Sequence, residues 1–240
     1  MLYKTKGVVL HTIKFTESSI ITKIYTEAFG LQSYLVNNVR SSGKSRASLF
    51  GPVNILDLEV YRRENKNLQR LREFRAAHIY KTVHSDVLKS SIALFIAEVL
   101  YKCIREEEAN PEMYHFIERS LIALDESPEA DNNFHLFFLL ALAKHLGFSP
   151  GRNSDSKNAW FDLKEGRFVS ELPEHKYLIT QPHVSYLENL LSGNSPVQMK
   201  ADERSFLLEK ILIYYALHLH GFRKVSSHRV LHEALAESNR

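Results

Sequence analysis

The period of the hydrophobic pattern changes near residue 80, and this change constrains the fold more than any other feature of the chain. Between about residues 5 and 75, short runs of β-branched and aromatic residues alternate with turn-forming breaks, which is typical of strands. After residue 80, apolar residues recur at the i, i+4, i+7 spacing of helices. The pattern predicts an α+β protein with a β-domain at 1–80 and a helical domain at 81–240.

Five strand-like runs lie in the first domain. Their sequences are GVVLHTI, SIITKIYT, LQSYLVNNV, VNILDLEVY and NLQRLREF. Five short strands in so few residues are typical of a small closed or partly open barrel. Alternation along the last two runs predicts which side chains face the barrel interior and which face outward. The inward set includes Ile55, Leu58 and Val60, and the outward set includes Arg62, Arg70 and Arg72.

The second domain begins with three helical stretches, which the spacing predicts at 85–107, 111–124 and 133–146. Ser85 is the expected N-cap of the first helix. The third stretch, FHLFFLLALAKHLG, is apolar nearly all round, which predicts the buried centre of a bundle. Residues 149–182 lose this period, so we expect an irregular insert with a short hairpin around residues 164–166. Further helices are predicted at 183–191 and 201–220, and in SSHRVLHEAL near the end.

Charge is distributed unevenly between the two domains. Residues 1–80 hold 13 basic and 6 acidic side chains, whereas the remainder holds 18 basic and 22 acidic ones. Nine of those basic residues fall between 40 and 75. A basic β-domain is typical of a module that binds polyanions, because clustered cations release counterions from phosphates. A solvated surface whose charges happen to fall in one half is the alternative.

The motifs of common enzymes are incomplete in this chain. Ser42-Gly43-Lys44-Ser45 resembles part of a phosphate-binding loop, but Asn38 stands where the first glycine is needed, and Pro52 precludes a long following helix. His228 and His232 have an i, i+4 spacing without a third ligand placed by the sequence. Cys103 lies on the apolar stripe of a helix, which indicates a buried structural thiol. We therefore expect no enzyme, no metal and no cofactor.

The location of the protein is also constrained by its sequence. No apolar run approaches the roughly 18 residues that a membrane span needs. The start, MLYKTKGVVLHTIKF, is too short and too alternating for a signal peptide. A single cysteine excludes an internal disulfide. These features favour a cytoplasmic protein without a membrane partner.

Several segments together resemble the bacterial RecO recombination-mediator family. In the first domain, the segments that resemble the family are KTKGVVLHT at 4–12, TEAFGLQSYLVNNVR, KSRASLFGPVNILDLEV at 44–60 and RLREF at 70–74. In the second domain they are LLEKILIYYALHLHG and KVSSHRVLHE at 224–233. The resemblance spans the whole chain, and it implies that the first domain is a five-stranded OB-fold barrel.

One departure from the family concerns metal. Many RecO proteins carry paired cysteines in a zinc-ribbon-like insert after the central helix, and residues 149–182 of this chain hold none. If the hairpin persists, Trp160, Phe161 and Phe168 must hold it by packing. The resemblance therefore implies a zinc-less member.

The resemblance implies a non-enzymatic mediator of recombinational repair in the RecF pathway. Such a protein binds single- and double-stranded DNA, anneals complementary strands, and helps RecR to load RecA onto DNA coated by single-strand-binding protein (SSB). It would be cytoplasmic, and nucleoid-associated when bound to DNA. A basic-barrel scaffold that binds an acidic protein is the alternative function. A metal-dependent nuclease using His228 and His232 is a third.

Candidate DNA-binding residues follow from the basic segment and the OB-fold implication. The candidates for phosphate contact are Arg40, Lys44, Arg46, Arg62, Arg63, Arg70, Arg72, Lys14 and Lys23. The candidate base-stacking residues are Tyr34, Phe50 and Tyr61, for each of which a core position is an equal alternative.

The family resemblance also implies a groove in the helical part for the acidic, phenylalanine-ended C-terminal tail of SSB. An apolar pocket rimmed by cations would suit that tail. Arg105, Arg119 and Lys144 are the basic residues near the apolar helices and are the candidates by position alone.

Overall fold

The computed structural model forms two compact units, residues 1–128 (the barrel unit) and 129–240 (the helical unit). The described residues are 1–39, 44–63, 66–128, 131–153, 159–193, 197–222 and 224–237. The predicted division at residue 80 coincides with the change from strands to helices. The compact units divide after Pro128, because two helices pack with the barrel.

Five strands close the predicted barrel. They are β1 (Leu2–Lys14), β2 (Ile20–Thr26), β3 (Gly30–Val36), β4 (Ile55–Tyr61) and β5 (Leu68–Ala76). Their order around the barrel is β1-β2-β3-β5-β4, antiparallel except for the β3–β5 pair. The α+β prediction with an N-terminal five-stranded OB-type barrel is confirmed.

The barrel interior follows the alternation along the strands. Leu58 and Val60 are in the core as predicted, together with Leu56. Ile55 is also buried, at 1% exposed, but it is one residue out of phase with Leu56 and therefore faces away from the barrel interior. The inward prediction was therefore wrong for Ile55, which is covered on the outer side.

Three helices belong to the barrel unit: α1 (Lys44–Ser48), α2 (Val87–Cys103) and α3 (Pro111–Glu126). The short helix α1 lies between β3 and β4 and ends before Pro52, as the sequence requires. Asp86, and not Ser85, caps α2, because its carboxylate accepts a hydrogen bond from the Lys89 amide at 2.9 Å. The α2 helix ends at Cys103, earlier than the predicted residue 107. Beyond the helix, the Glu106 carbonyl accepts a hydrogen bond from the Leu31 amide of β3 and not from a residue of a longer α2.

The helical unit contains four helices and a small sheet among its described residues. The helices are α4 (Phe134–His145), α5 (His183–Leu191), α6 (Ala201–His218) and α7 (His228–Glu237), and the strands are β6 (Trp160–Asp162), β7 (Arg167–Val169) and β8 (Leu178–Ile179). The predicted buried character of α4 is confirmed, since seven of its residues are buried. No helix within the described ranges is long and apolar enough to cross a membrane.

The predicted hairpin of the insert is present as β6 and β7. The Phe161 and Phe168 rings meet edge to face with centroids 4.9 Å apart, and both are buried. Trp160 is only half-buried, so it contributes less to this packing than expected. Gly166 closes the turn at a φ of +67° and lies against the Tyr214 side chain, which a side chain at this position would strike.

Candidate nucleic-acid interface

A cationic groove of about 770 Å³ lies beside the end of β4 and the start of β5. We call it the β4–β5 groove. Its lining residues are Leu35, Tyr61, Arg63, Lys66, Asn67, Leu68, Gln69 and Arg70. Three of these carry positive charge, and none of the described lining residues is acidic. The groove therefore favours an anion.

Gln69 shapes the groove. Its side chain is buried at 6% exposed, its Oε1 accepts a hydrogen bond from the Arg63 amide at 2.9 Å, and its Nε2 donates to the Arg63 carbonyl at 2.9 Å and to the Lys66 carbonyl. These bonds tie the start of β5 to the backbone of Arg63 and Lys66. The backbone of both residues is thereby anchored beside the groove that they line.

The groove continues as a row of side chains on the outer face of the sheet. Strand register aligns Ile13 with Ile21, Ile21 with Leu35, Leu35 with Arg70, and Arg70 with Tyr61. Directly paired residues point to the same side of a sheet. Ile13 is 48% exposed, and Ile21 and Leu35 are half-buried. The row therefore places accessible apolar surface beside the cations.

Two exposed aromatic rings lie at the two ends of this row. Phe15 is 56% exposed in the β1–β2 turn, where its amide donates to the Ser19 carbonyl at 3.0 Å. Tyr61 is 47% exposed at the end of β4. In OB-folds, the β2–β3 face between the β1–β2 and β4–β5 loops is the surface that binds oligonucleotides. Each ring offers a π-face for a base.

A second groove on the barrel, of about 570 Å³, lies along β1, β4 and β5 and differs in its charge balance. Its cations are Lys4, Lys6, Arg46 and Arg75, and its acids are Glu27, Asp57, Glu59 and Glu73. Arg75 pairs with Asp57 at 3.0 Å, and Glu59 receives both Lys4 at 3.4 Å and Arg72 at 3.6 Å. These neighbouring acids reduce the attraction of this surface for a polyanion. We call the surface along β1, β4 and β5 the charge-balanced face.

The structure places the predicted phosphate-binding residues in different surroundings. Arg63 and Arg70 meet in the β4–β5 groove. Lys23 projects from β2 beside the apolar row and is half-buried, and Lys14 is exposed at the end of β1.

Three further predicted residues lie outside the groove. Arg62 stacks on the Phe29 ring at 4.5 Å, Arg46 lies 5.1 Å from the Phe74 ring centroid, and Arg72 belongs to the charge-balanced face. Arg40 and the side chain of Lys44 fall outside the described part of the chain.

The stacking prediction is wrong for Tyr34 and Phe50. Tyr34 is 1% exposed and Phe50 is 2% exposed, and both belong to the barrel core. Burial also raises the pKa of Tyr34. A small barrel needs large side chains to fill it, and Tyr34 has the inward phase of Val36 two residues later. Neither ring can present a face to a base.

Sequence reasoning missed Phe15 and Lys66 as members of the site. Phe15 comes directly after the alternating run of β1 and shortly before Glu17 and Ser18, which separate the first two strand-like runs, so its position in a turn was the available signal. Lys66 was visible only as one of many cations. Its place in the groove depends on the hydrogen bonds of Gln69, which sequence patterns do not reveal.

The residues predicted for tail binding belong to both compact units. Arg105 and Arg119 belong to the barrel unit and Lys144 to the helical unit, and all three are exposed. In α7, His228 Nδ1 lies 2.8 Å from the Val225 carbonyl oxygen. Within the described ranges, no three His, Cys, Asp or Glu side chains lie close enough to hold a metal ion.

Comparison with known protein families identifies the family of this chain. A family model described as Recombination protein O N terminal matches residues 1–80, and one described as Recombination protein O C terminal matches residues 84–228. The chain belongs to the RecO family. The resemblance noted in the sequence is thereby confirmed, and membership supports a role in DNA repair and recombination.

Individual relatives agree over nearly the whole length. The protein named DNA repair protein RecO from Flavobacterium psychrophilum is 35% identical, with 98% of this chain and 100% of that protein covered. Its namesake from Bacteroides fragilis strain YCH46 is 35% identical, with 97% and 99% covered. The Porphyromonas gingivalis protein of the same name is 32% identical, with 92% and 94% covered.

Proposed function

We propose that this RecO family member is a non-enzymatic recombination mediator that binds single- and double-stranded DNA through the β4–β5 groove and the adjoining apolar row. It anneals complementary strands and helps RecR to load RecA onto SSB-coated DNA in the cytoplasm, at the nucleoid. The observation that carries the DNA-binding proposal is the cation cluster of Arg63, Lys66 and Arg70 beside the exposed ring of Tyr61.

Two kinds of contact act at this surface. The cations attract phosphates of either DNA form, and counterion release supplies the free energy. The rings and the apolar row contact bases only when those bases are unstacked, as they are in a single strand. The phosphate contacts therefore serve both forms, whereas the apolar contacts add affinity for single strands alone.

Annealing requires no chemical step in this proposal. Two complementary strands repel each other through their phosphates, and a bound cationic surface reduces this repulsion. Because the proposed mechanism consists of charge neutralisation and base positioning, we assign no catalytic residue.

The protein partners belong to the same proposal. We assign RecR and the C-terminal tail of SSB as partners, with the exposed residues Arg105, Arg119 and Lys144 as the cations proposed to contact the acidic part of the tail. Titration of a fluorescent tail peptide tests this assignment. Charge reversal of each cation should weaken binding where it contacts the tail. Absence of binding at tens of micromolar peptide would contradict the tail assignment while leaving the DNA groove unaffected.

Salt-dependent DNA binding tests the groove. Fluorescence anisotropy of a labelled single strand and of its duplex is measured from about 50 to about 300 mM salt. In the groove variant, Arg63, Lys66 and Arg70 are all replaced by Gln. If each cation meets one phosphate, the log–log salt slope should fall by about 2 for the single strand and about 3 for the duplex.

A matched variant removes three cations from the charge-balanced face, with Lys4, Arg72 and Arg75 replaced by Gln. These cations are paired with Glu59 and Asp57, so their removal should change the slope less than the groove variant does. Equal slopes for the two variants would refute the groove assignment. Displacement of DNA by an acidic peptide at equal charge concentration would favour the scaffold function instead.

A further inference from the structure

The outer face of the barrel sheet carries a second row of side chains next to the apolar row. Strand register pairs its members in turn, and they are Leu68, Ser33, Lys23 and His11. Leu68 is 37% exposed and also lines the β4–β5 groove, and His11 is exposed at the opposite end of the row. This second row therefore leads away from the cations of the groove, across β3 and β2, to β1.

Helices cover the outer face beyond the second row. The next row consists of Val8, Tyr25 and Leu31, which the register pairs in the same way, and all three are buried. The Tyr25 ring centroid lies 6.3 Å from that of Tyr114 on α3, and α2 packs against β1. A nucleic-acid strand that crosses the open rows therefore meets the helices at the second row.

Tyr101 lies at this boundary, in the last turn of α2. Its ring stacks on that of His11, with centroids 4.7 Å apart and planes inclined by 21°. Tyr101 is 37% exposed and His11 is also exposed, although most of α2 is buried. Aromatic rings stack readily on the flat faces of bases. The stacked pair therefore offers an accessible π-surface at the end of a row that begins at the groove.

Charge favours a polyanion on the second row and opposes one at the far end of the sheet. Lys23 is half-buried within the row, and the row contains no acid. The segment after α2 carries exposed Glu106–Glu108, and a Cβ at Gly30 of β3 would strike the carbonyl oxygens of Glu106 and Glu108. Phosphates are therefore attracted along the second row and repelled from the end of β3 at Gly30.

We propose that the stacked pair of Tyr101 and His11 is a platform for a base of the bound single strand, at the point where that strand leaves the barrel. The platform rests on the DNA-binding function proposed above and extends its site from the sheet to α2. One base stacks on the pair, the adjoining phosphates pass Lys23, and the rest of the strand reaches the β4–β5 groove past Leu68. Because the bases of a duplex already stack on one another, the platform serves single strands alone.

Anisotropy titrations of the full-length chain test the platform with two labelled strands of about 16 nucleotides. One strand carries bases throughout, and the other has the same backbone with abasic sites in their place. Tyr101→Ala should weaken binding of the strand with bases at least about fivefold, the lower end of the loss expected for one stacked base. It should leave binding of the abasic strand and of a duplex unchanged, since both depend on phosphate contacts.

Matched variants separate stacking from stability. Tyr101→Phe keeps the ring and should bind as the wild type does. Leu94→Ala removes another exposed apolar side chain of α2, which is 42% exposed, and should leave binding of both strands unchanged. His11→Ala removes the other ring from the barrel side, so it tests the platform even if Tyr101→Ala fails to fold. It should also weaken the strand with bases, and the double variant should lose little more than either single one, because the two rings act together.

Either of two results would overturn the platform. One is a loss smaller than about twofold in both Tyr101→Ala and His11→Ala. The other is an equal loss with the abasic strand, which would assign the rings to the fold or to phosphate contacts. If the groove variant binds weakly while both ring variants bind as the wild type does, the platform alone fails. If the wild type binds neither strand, the DNA-binding function fails with it.

Discussion

Replacement of Asp125 by Asn should destabilise the barrel unit substantially. The carboxylate of Asp125 is completely buried at the end of α3. It accepts backbone hydrogen bonds from Lys81 at 2.9 Å, Thr82 at 2.8 Å and Val83 at 3.1 Å, and His78 Nε2 lies 3.2 Å away. One side chain thus anchors the segment that leads from the barrel into α2. Burial raises the pKa of Asp125, but these hydrogen bonds outweigh it and hold the pKa well below its usual range.

The size of the effect follows from these contacts. A hydrogen bond to a charged acceptor contributes roughly 1 kcal/mol more than one to a neutral acceptor. Asn keeps one acceptor oxygen for the three backbone donors but loses the charge, so the expected loss is about 3 kcal/mol. This is a large part of the 5–15 kcal/mol or so that usually stabilises a domain. The same loss corresponds to about a hundredfold decrease in amide protection if opening of this segment determines exchange.

Denaturation by urea and hydrogen exchange measure the loss together. Urea unfolding followed by circular dichroism reports the free energy of unfolding, and exchange of the Thr82 and Val83 amides reports the segment itself. The control is Asp131→Asn, which changes an exposed carboxylate in the helical unit whose Oδ1 accepts from the Asn133 amide at 2.8 Å. A loss below about 1 kcal/mol in Asp125→Asn, or unchanged exchange at Thr82, would refute the anchoring role.

The pH dependence of the free energy of unfolding provides an independent test of whether ionised Asp125 stabilises the fold. The pKa of Asp125 is lower in the folded than in the unfolded state, so its contribution is complete above the unfolded value of about 3.9. The contribution is lost as pH falls below that value towards the folded pKa. The stability difference between the wild type and Asp125→Asn should therefore shrink as pH falls below about 4. A difference that grows as pH falls below that value would contradict the reasoning.

Three further predictions concern the interface and the core. Tyr61→Ala should weaken single-strand binding by about 1–3 kcal/mol while changing duplex binding little, and equal losses in anisotropy titrations with both DNA forms would contradict its stacking role. Phe15→Ala should behave in the same way, with Tyr34→Phe as a control whose buried ring should leave DNA binding unchanged. Cys103 is buried and burial raises its pKa, so its thiol should react with a disulfide reagent only slowly until denaturant is added; rapid labelling in buffer would show that α2 opens readily.

The distinction between the two barrel grooves bears on how such a domain binds DNA. Both grooves contain arginine and lysine, and among the described lining residues acids accompany them only along β1, β4 and β5. Exposed ion pairs contribute little to stability, so the acids of that face matter mainly for its electrostatic potential. The described lining of the β4–β5 groove combines cations with apolar surface. The proposed nucleic-acid interface requires that combination.

Local patterns in the sequence determined much of this architecture. The period of two predicted all five barrel strands, because burial on one face of a strand requires that spacing. The apolar stretches at 133–146 and 201–220 predicted α4 and α6 closely. Charge counts identified the barrel as the basic part of the chain. The turn at Gly166 was also readable, since it depends on a few adjacent residues.

Tertiary structure decided the properties that depend on residues distant in the chain. Tyr34 and Phe50 are aromatic residues in a basic domain, and only closure of the barrel buries them. Whether Arg63 or Arg72 is available to phosphate depends on Glu59 across the sheet and on Gln69 beneath the connection. Strand alternation gives the side of a strand on which a residue lies, but not its partner. Pairing, burial and electrostatic compensation arise when distant segments meet, and these determine the binding surface.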